Sequence, residues 1–504
     1  MTKKEKYFFI LSLIAVPIII YFYFLQWKTT TIYADDLTVY KGLGNVTKFR
    51  PVNTFVYDLL IRFFQKRLDY YYVFNISIQV LNAYLFAMIV NLFLASPWLS
   101  VLISLIPALS RLSLSNINQL YYGGALEGLA MSFFLLSLFF ILTPLVKRDS
   151  TRPQVIKAML WSILFANLGL YTHERYVVLL PFIVIVIFFL PQLKILTRKQ
   201  KVSLSALSLG SIFLNVAIKN YVYSMPFFVG TGDAPMTISI STVAQFFSDA
   251  FLSAIQISEG HEYVSGIQFI SLTSFERKTI LFIDIVVLLV FARYFFKTWK
   301  AGDLKTNDGR SNIFIFLALG VLFFLCLVPA VTTIRVEHRF LQASFSILVL
   351  MIVIAIHSFD LKVHALPVLL FIVLFAWVNY TYLKKGAANL YQNCAQASAA
   401  KFKQAIYTGI IRPATSKLYI WDYKDQNGKG ALTWYLSNGY FFDYYQGKQK
   451  EILFADSIYH KEGDSLVTSF PHFNKDSAQI LYVKDTIADI TGQYLKDSLK
   501  SWKE

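Results

Sequence analysis

The sequence predicts a mainly α protein, a polytopic membrane helix bundle of about 11 transmembrane helices with a small extracytoplasmic α/β domain at its C-terminal end. Of the 504 residues, 56% are hydrophobic and only 15% are charged, a composition too apolar for an ordinary soluble protein. Apolar runs recur as far as residue 383, and polar residues return from Lys384 onward. We therefore predict a transmembrane domain at 1–384 and an extracytoplasmic accessory domain at 385–504.

The transmembrane domain is predicted from its apolar runs, because a helix needs about 17–25 apolar residues to cross the hydrocarbon core. The first run follows MTKKEK and lacks a small-residue cleavage site, which indicates a retained signal anchor. The third and fifth runs are short. The runs lie at 7–26, 72–95, 98–115, 125–146, 156–171, 175–193, 202–223, 278–297, 312–334, 339–357 and 363–383.

Lysine and arginine residues in the short connections indicate the orientation. They occur in four alternate connections: Lys3, Lys4 and Lys6; Lys147, Arg148, Arg152 and Lys157; Lys194, Arg198, Lys199 and Lys201; and Lys297, Lys300, Lys305 and Arg310. If these connections are cytoplasmic, the protein is a multi-pass cell-membrane protein with its N-terminus inside and its C-terminal domain outside. The membrane topology and contact with anionic lipid then explain the net charge of +17, so we expect no nucleic-acid partner.

Three outer segments have patterns of their own. Residues 53–64 place apolar side chains at helical spacing, which predicts an amphipathic helix along the membrane interface. The loop 225–277 is long enough to act as a lid. Asn45-Val46-Thr47 fits a glycosylation sequon.

The accessory domain has about 120 residues, enough to bury a core of its own. Residues 418–423, 451–454 and 479–483 have the composition of short strands, and 387–408 and 488–501 have helical patterns. The two cysteines, Cys326 and Cys394, provide no disulfide or metal framework.

Two adjacent carboxylates, Asp35 and Asp36, follow the first span within the stretch 33–51. Aromatic and apolar neighbours would partly desolvate them close to the bilayer, where the pKa of a carboxyl rises. Such a carboxylate could deprotonate a hydroxyl or hold a divalent cation. The alternative is a pair of solvated loop carboxylates.

Two further charged clusters fall at the outer ends of apolar runs, His173-Glu174-Arg175 and Glu337-His338-Arg339, the latter with Arg335 just before it. Charged groups at a span end are costly if they face lipid, so both clusters should point into a protein or water cavity. The planar guanidinium group suits a phosphate, which suggests that a lipid phosphate is bound there. A structural salt-bridge network is the competing interpretation.

Two more residues belong with these clusters. Glu127 follows YYGGAL at the outer end of the fourth span, where it either lines the same cavity or compensates the dipole of the helix start. Arg50 precedes Pro51 at the start of the predicted interfacial helix. From the predicted orientation, we expect all these residues on one face of the membrane.

In this order of motifs the chain resembles the GT-C superfamily, the polytopic glycosyltransferases that take a sugar from a polyprenyl-phosphate carrier. The resemblance covers the layout of roughly the first 385 residues, and it departs from the family where His173 replaces a more usual lysine. The matching features are the acidic pair in Ala34-Asp35-Asp36, Arg50-Pro51 before the interfacial helix, the span-end motif Thr172-His173-Glu174-Arg175, and Glu337-His338-Arg339 before a late span.

The resemblance implies that Asp35 or Asp36 is the catalytic base, or a carboxylate that organises a divalent cation such as Mg²⁺ or Mn²⁺. It implies substrate-binding roles near the carrier phosphate for Arg50, Glu127, His173, Glu174, Arg175, Arg335, Glu337, His338 and Arg339. The expected partners are a polyprenyl-phosphate sugar donor, a glycan or polymer acceptor, and membrane lipid.

The predicted function is therefore sugar transfer to a cell-envelope acceptor on the outer face, with inversion of the anomeric centre. The acceptor could be a wall polysaccharide, a teichoic acid or a lipid-linked glycan, and the Lys-rich, Ile-rich and Phe-rich composition is typical of a bacterium of low genomic GC content. The main alternative is a transporter or flippase for a lipid-linked glycan, which should carry charge near the bilayer midplane. A third is a non-catalytic scaffold for the C-terminal domain, which would leave the outer clusters unexplained.

Overall fold

The structure is a computed structural model that describes residues 3–42, 48–147, 149–225, 239–300, 307–332, 335–357, 365–421, 428–454, 459–462, 465–468 and 476–494. The predicted sequon at 45–47 and part of the predicted lid, 226–238, lie outside the described residues. The chain divides into two compact units. The membrane unit comprises Met1–Lys28 and Asn45–Leu390, and the C-terminal unit comprises Thr29–Gly44 and Tyr391–Glu504.

The described residues form α-helices, short 3-10 and π turns, and strands. The α-helices are α1 (Lys3–Phe24), α2 (Asp35–Tyr40), α3 (Pro51–Phe64), α4 (Leu68–Leu94), α5 (Pro97–Ile103), α6 (Leu105–Ala108), α7 (Ser115–Asn118), α8 (Leu129–Val146), α9 (Arg152–Thr172), α10 (Leu179–Phe189), α11 (Arg198–Ala217), α12 (Ile240–Ala254), α13 (Ser274–Lys300), α14 (Asn307–Val331), α15 (Gln342–His357), α16 (Ala365–Gly386), α17 (Tyr391–Tyr407), α18 (Gly428–Tyr435), α19 (Tyr440–Gln446) and α20 (Thr491–Tyr494). The strands are β1 (Lys417–Trp421), β2 (Glu451–Phe454), β3 (Tyr459–Glu462), β4 (Ser465–Thr468), β5 (Ala478–Val483) and β6 (Ile487–Asp489).

The predicted membrane helix bundle is confirmed, although the number of spans is not. Among the described residues, eight helices are long and apolar enough to cross a membrane: Glu5–Trp27, Leu68–Leu94, Gly123–Val146, Arg152–Thr172, Arg198–Val222, Ser274–Thr298, Ile313–Val331 and Val368–Gly386. Three other predicted spans are short or broken. The α-helical part of the run 175–193 is the 11-residue α10, between two 3-10 turns, and the run 339–357 contains the 16-residue α15. The run 98–115 bends by 71° between Pro97–Ala108 and Arg111–Asn118.

Three amide side chains on α4 satisfy the backbone around this bend. Asn75, Gln79 and Asn82 are spaced so that they share one face of the helix. Asn75 Nδ2 donates to the carbonyl of Gln119 (2.7 Å), Gln79 Nε2 to that of Ala108 (3.0 Å), and Asn82 Nδ2 to that of Gly128 (2.9 Å). Because an unpaired carbonyl is costly away from water, this polar stripe allows the chain to bend inside the bundle.

The bend leads into a π-helical turn, Gly123–Gly128, which packs directly against α4. Gly124 donates its N–H to Asn75 Oδ1 at 2.9 Å, and a Cβ at Gly124 would lie 2.4 Å from that oxygen. Only glycine permits this approach, so the YYGGAL sequence fixes how the turn, and Glu127 within it, is placed.

The C-terminal unit contains the predicted small α/β fold. Its four-stranded sheet has the order β2-β1-β5-β6, with β1 parallel to β2 and β5, and β6 antiparallel to β5. The strands β1 and β5 alternate Leu418, Ile420 and Ile480 into the core. The three predicted strands are confirmed, whereas the predicted helix at 488–501 is wrong at its start, because Ile487–Asp489 pairs as the edge strand β6.

The stretch that follows the first span groups with the C-terminal unit and not with the helices that flank it in sequence. Thr29–Gly44, including α2 with Asp35 and Asp36, belongs to this unit. The compact units differ from the predicted division at residue 384 in this segment and in the boundary between them, which falls after Leu390.

Candidate functional site

Glu127 lies at the centre of the candidate site in the membrane unit. Its side chain is buried, with the residue only 1% exposed. The two terminal nitrogens of Arg175 each approach one carboxylate oxygen at 3.1 Å, so the pair is bidentate. Arg339 Nη1 lies 3.4 Å from Glu127 Oε1, which gives the one carboxylate two cationic neighbours.

A second bidentate pair joins Arg50 to Glu174. Arg50 donates from Nε to Glu174 Oε2 (2.6 Å) and from Nη2 to Oε1 (2.7 Å). Arg50 is the residue before Pro51, the first residue of α3, and Asn53 on α3 donates to the carbonyl of Ala125 at 3.0 Å. Partial burial raises the pKa of Glu174, but Arg50 outweighs it and holds the pKa well below its usual range.

His173 lies between the two carboxylates. Its Nε2 is 3.5 Å from Glu127 and its Nδ1 is 3.7 Å from Glu174, while Arg175 Nη2 approaches Nε2 at 2.9 Å. Burial and the guanidinium groups of Arg175 and Arg50 lower the pKa of His173 to about 3. The ring is therefore neutral at pH 7, and a neutral Nε2 accepts the hydrogen bond from Arg175.

The segment between α14 and α15 supplies the other half of the site. Glu337 accepts from Arg335 Nε at 3.0 Å on one oxygen and from Arg339 Nε at 2.5 Å on the other. Arg175 Nη1 donates to the Arg339 carbonyl at 2.8 Å, and the Arg175 guanidinium lies 4.2 Å from the centre of the Phe340 ring. Burial raises the pKa of Glu337, but the two arginines lower it overall.

We call Arg50, Glu127, His173, Glu174, Arg175, Arg335, Glu337 and Arg339 the arginine–glutamate cluster. Its described members comprise four guanidinium groups and three carboxylates around a neutral histidine, which leaves one positive charge in excess. Arg335 and Arg339 are its more accessible cations, with side chains 31% and 15% exposed, against 5% for Arg50 and 8% for Arg175. A cluster of this charge is suited to binding an anion at its accessible edge.

His338 supports the cluster from its interior side. It is fully buried; its Nδ1–H donates to the Tyr263 carbonyl (2.6 Å), and the Ser115 hydroxyl lies 2.7 Å from Nε2. Burial lowers its pKa to about 4, so the ring is neutral at pH 7. The Arg335 guanidinium lies over the Tyr263 ring at 3.8 Å. Tyr263, in the loop between α12 and α13, therefore contacts both Arg335 and His338.

Ser115, Tyr263 and Phe340 are therefore parts of the site that the sequence patterns did not indicate. Ser115 lies in an apolar run that was predicted as an ordinary span, and Tyr263 lies in the long loop 225–277. Neither residue carries a charge or belongs to a motif, so their contacts with His338 and Arg335 depend on the tertiary fold.

Asp35 and Asp36 lie in the C-terminal unit, in the first turn of α2. Asp36 is 3% exposed, and its neighbours Tyr33 and Leu37 are buried, as expected for partly desolvated acids. Burial, followed by the charges of Asp36 and Asp35, raises the pKa of Tyr33 well above its usual value. That these acids form one site with the arginine–glutamate cluster remains a prediction.

Within the described ranges, no three side chains of His, Cys, Asp or Glu are grouped so that they could hold a metal ion. Asp35 and Asp36 thus offer two carboxylates without a third protein ligand among those residues. The choice between a catalytic base and a metal ligand at this pair stays open.

No protein-family model matches the chain, and no curated protein matches it. Among solved structures, the chain is similar to ArnT from Cupriavidus metallidurans. ArnT bound to undecaprenyl phosphate has a TM-score of 0.43 and 12% identity, and ArnT in the apo state has a TM-score of 0.45 and 12% identity. Each match covers 94% of this chain and 93% of ArnT.

Proposed function

We propose that the protein is an integral-membrane glycosyltransferase that transfers a sugar from a polyprenyl-phosphate donor to a cell-envelope acceptor on the outer face of the membrane. The observation that carries this proposal is the convergence of Arg50, Glu127, 173–175 and 335–339 in one cluster, as the order of GT-C-like motifs led us to expect. The four segments are far apart in sequence, and each lies at the end of a helix.

The accessible edge of the cluster is where we place the carrier phosphate. Arg335 and Arg339 share Glu337, which orients both guanidinium groups through Nε. Arg50 and Arg175 are bound bidentately to Glu174 and Glu127, so we assign them to positioning. A guanidinium group held in place before the reaction stabilises charge that develops on a leaving phosphate without reorganising.

In the proposed reaction, an acceptor hydroxyl attacks the anomeric carbon while Asp35 or Asp36 takes its proton. The bond between the anomeric carbon and the phosphate oxygen breaks, and the electron pair leaves with the polyprenyl phosphate, whose charge Arg335 and Arg339 stabilise. A single displacement inverts the anomeric centre. A divalent cation at the aspartates would supply further charge neutralisation.

One observation favours the alternative, a transporter or flippase for a lipid-linked glycan. Transporters carry interrupted helices and buried charge. The bend at 109–110 is such an interruption, and the fully buried Arg111 follows it, where it donates to Gln256 Oε1 (2.7 Å) and the Ser253 carbonyl (3.2 Å). The turn Arg111–Ser113 packs against His338–Phe340, and a transport role would depend on Arg111.

The test is sugar transfer by purified protein in proteoliposomes with a polyprenyl-phosphate donor labelled in the sugar. We expect Arg339→Ala to lower the rate on the order of 10²-fold, as for other lost transition-state donors, and Asp35→Asn or Asp36→Asn to lower it as well. Arg152→Ala is the matched control, because Arg152 is exposed and donates to Gln200 and Thr197 at the start of α11.

Wild-type rates in Arg339→Ala and in both aspartate variants would refute the proposal. Movement of labelled lipid across the bilayer without a new glycosidic bond, lost in Arg111→Gln, would establish the transporter instead.

A further inference from the structure

The segment that carries the aspartates is anchored by the far end of the chain. Lys403 Nζ donates to the Thr30 carbonyl at 2.9 Å, and Gln396 Nε2 donates to Thr30 Oγ1 at 3.3 Å. Both donors lie on α17, more than 360 residues further along the sequence. The entry to the acidic segment is therefore set by the C-terminal unit.

The residue before the acidic pair is held in an unusual conformation. Ala34 has φ +47° and ψ −128°, which L-residues rarely adopt. Its N–H donates to the Tyr435 carbonyl (2.8 Å), and its carbonyl accepts from the Ser437 hydroxyl (2.5 Å). Such a conformation persists only where the surroundings enforce it, so these two bonds fix the direction in which α2 begins.

The other end of α2 is held by the same unit. Lys41 forms an ion pair with Asp443 on α19, and the Tyr40 ring meets the Tyr444 ring edge-on with centroids 4.8 Å apart. The helix has only six residues, too few to be stable by itself. Its position therefore depends on contacts at both ends.

We propose that the C-terminal unit positions the Asp35–Asp36 pair for the reaction, with Ser437 and Asp443 as positioning residues. This inference rests on the proposed function, in which one of the aspartates takes the acceptor proton. A base must lie within hydrogen-bond reach of that proton, and a displacement of about 1 Å can cost on the order of 10²-fold in rate. The unit is then part of the catalytic apparatus and not a separate accessory domain.

The first experiment measures hydrogen exchange of residues 31–42 in the full-length protein in nanodiscs. We expect Ser437→Ala and Asp443→Lys each to accelerate exchange in this segment at least tenfold, and Lys41→Asp combined with Asp443→Lys to restore protection. Lys417→Ala is the control, because Lys417 pairs with Glu451 on the surface of the same unit and both side chains are about half exposed. Unchanged exchange in both single variants would overturn the inference whatever the activity shows.

The second experiment measures sugar transfer by the same variants. A positioning role predicts a kcat lowered at least tenfold in Asp443→Lys with an unchanged KM for the lipid donor, and recovery of kcat in the charge-swapped double variant. Accelerated exchange with wild-type kcat would overturn the positioning role. If Asp35→Asn and Asp36→Asn also retain wild-type rates, the assignment of the catalytic base fails separately, and the exchange data then decide whether the C-terminal unit anchors the segment.

Discussion

Replacing Glu127 by glutamine removes the negative charge that Arg175 and Arg339 share, with almost no change in side-chain volume. Arg175 is 8% exposed at its side chain, so water cannot take over the role of the carboxylate. The variant retains one carbonyl oxygen that still accepts a hydrogen bond. It therefore tests charge compensation and not packing.

The expected cost follows from the burial of the pair. Removing one partner of a buried ion pair costs about 3–5 kcal/mol, because the other charge is left uncompensated. The retained amide oxygen places Glu127→Gln near the lower limit, about 3 kcal/mol. For a bundle of this size we expect a fall in Tm of roughly 5 °C, since each kcal/mol corresponds to about 2 °C or less in large units.

The assay is thermal unfolding of purified protein in one detergent. Asp69→Asn is the matched control, because it makes the same change from carboxylate to amide in the membrane unit, where the Asp69 side chain is 76% exposed and pairs with Lys28. An exposed pair contributes less than about 1 kcal/mol, so the control should lose no more than about 2 °C.

A double-mutant cycle separates this interaction from general damage. If Glu127 neutralises Arg339, then Arg339→Gln costs less in the Glu127→Gln background than in the wild type. A Tm equal to that of the Asp69→Asn control, together with additive effects in the cycle, would refute the account of Glu127 as the central counter-charge.

Three further predictions follow from the same contacts. The pKa of His173 is lowered to about 3, so below about pH 6.5 the unfolded chain binds a proton at this residue while the folded chain does not. As the pH is lowered from about 6.5 towards 4, the free energy of unfolding should therefore fall by up to about 1.4 kcal/mol per pH unit. In His173→Gln, the Tm measured from pH 7 to pH 4 should fall less steeply than in the wild type. Asn75→Leu removes the acceptor of the buried Gly124 N–H and one of the donors to the Gln119 carbonyl, so it should cost about 1–3 kcal/mol in thermal unfolding, whereas Ser77→Ala, on the exposed side of α4, should cost little. Arg339→Lys keeps the charge but loses the planar fork, so sugar transfer should fall although less than in Arg339→Ala, and equal rates would contradict a role for the fork.

Much of the fold could be predicted because hydropathy is a local property of the chain. The apolar runs locate helices wherever about 20 residues must cross a bilayer, and the alternating patterns locate β1, β2 and β5. The bend at 109–110 could not be found in this way, since it depends on Asn75 and Gln79, which lie on another helix. The edge strand β6 was missed because only its pairing with β5 distinguishes it from a helix start.

The candidate site shows the same division between local and tertiary information. The span-end positions of 173–175 and 337–339 predict that these clusters share a face, and the structure brings them together around Glu127. Which arginine pairs with which glutamate depends on the tertiary fold. The sequence offers each glutamate more than one possible arginine partner at the predicted site. The packing of α3 against α9 decides that Arg50 pairs with Glu174.

The polar stripe on α4 connects the fold to the site. A straight helix through 98–128 would satisfy its own backbone and need no amides on its neighbour. In the bent chain, the carbonyls of Ala108, Gln119 and Gly128 each accept a hydrogen bond from an amide of the stripe. The same amides also fix the π turn that carries Glu127. They therefore both stabilise the bend within the bundle and position the central carboxylate. An apolar residue in the stripe should therefore shift Glu127 relative to Arg175 before it unfolds the bundle.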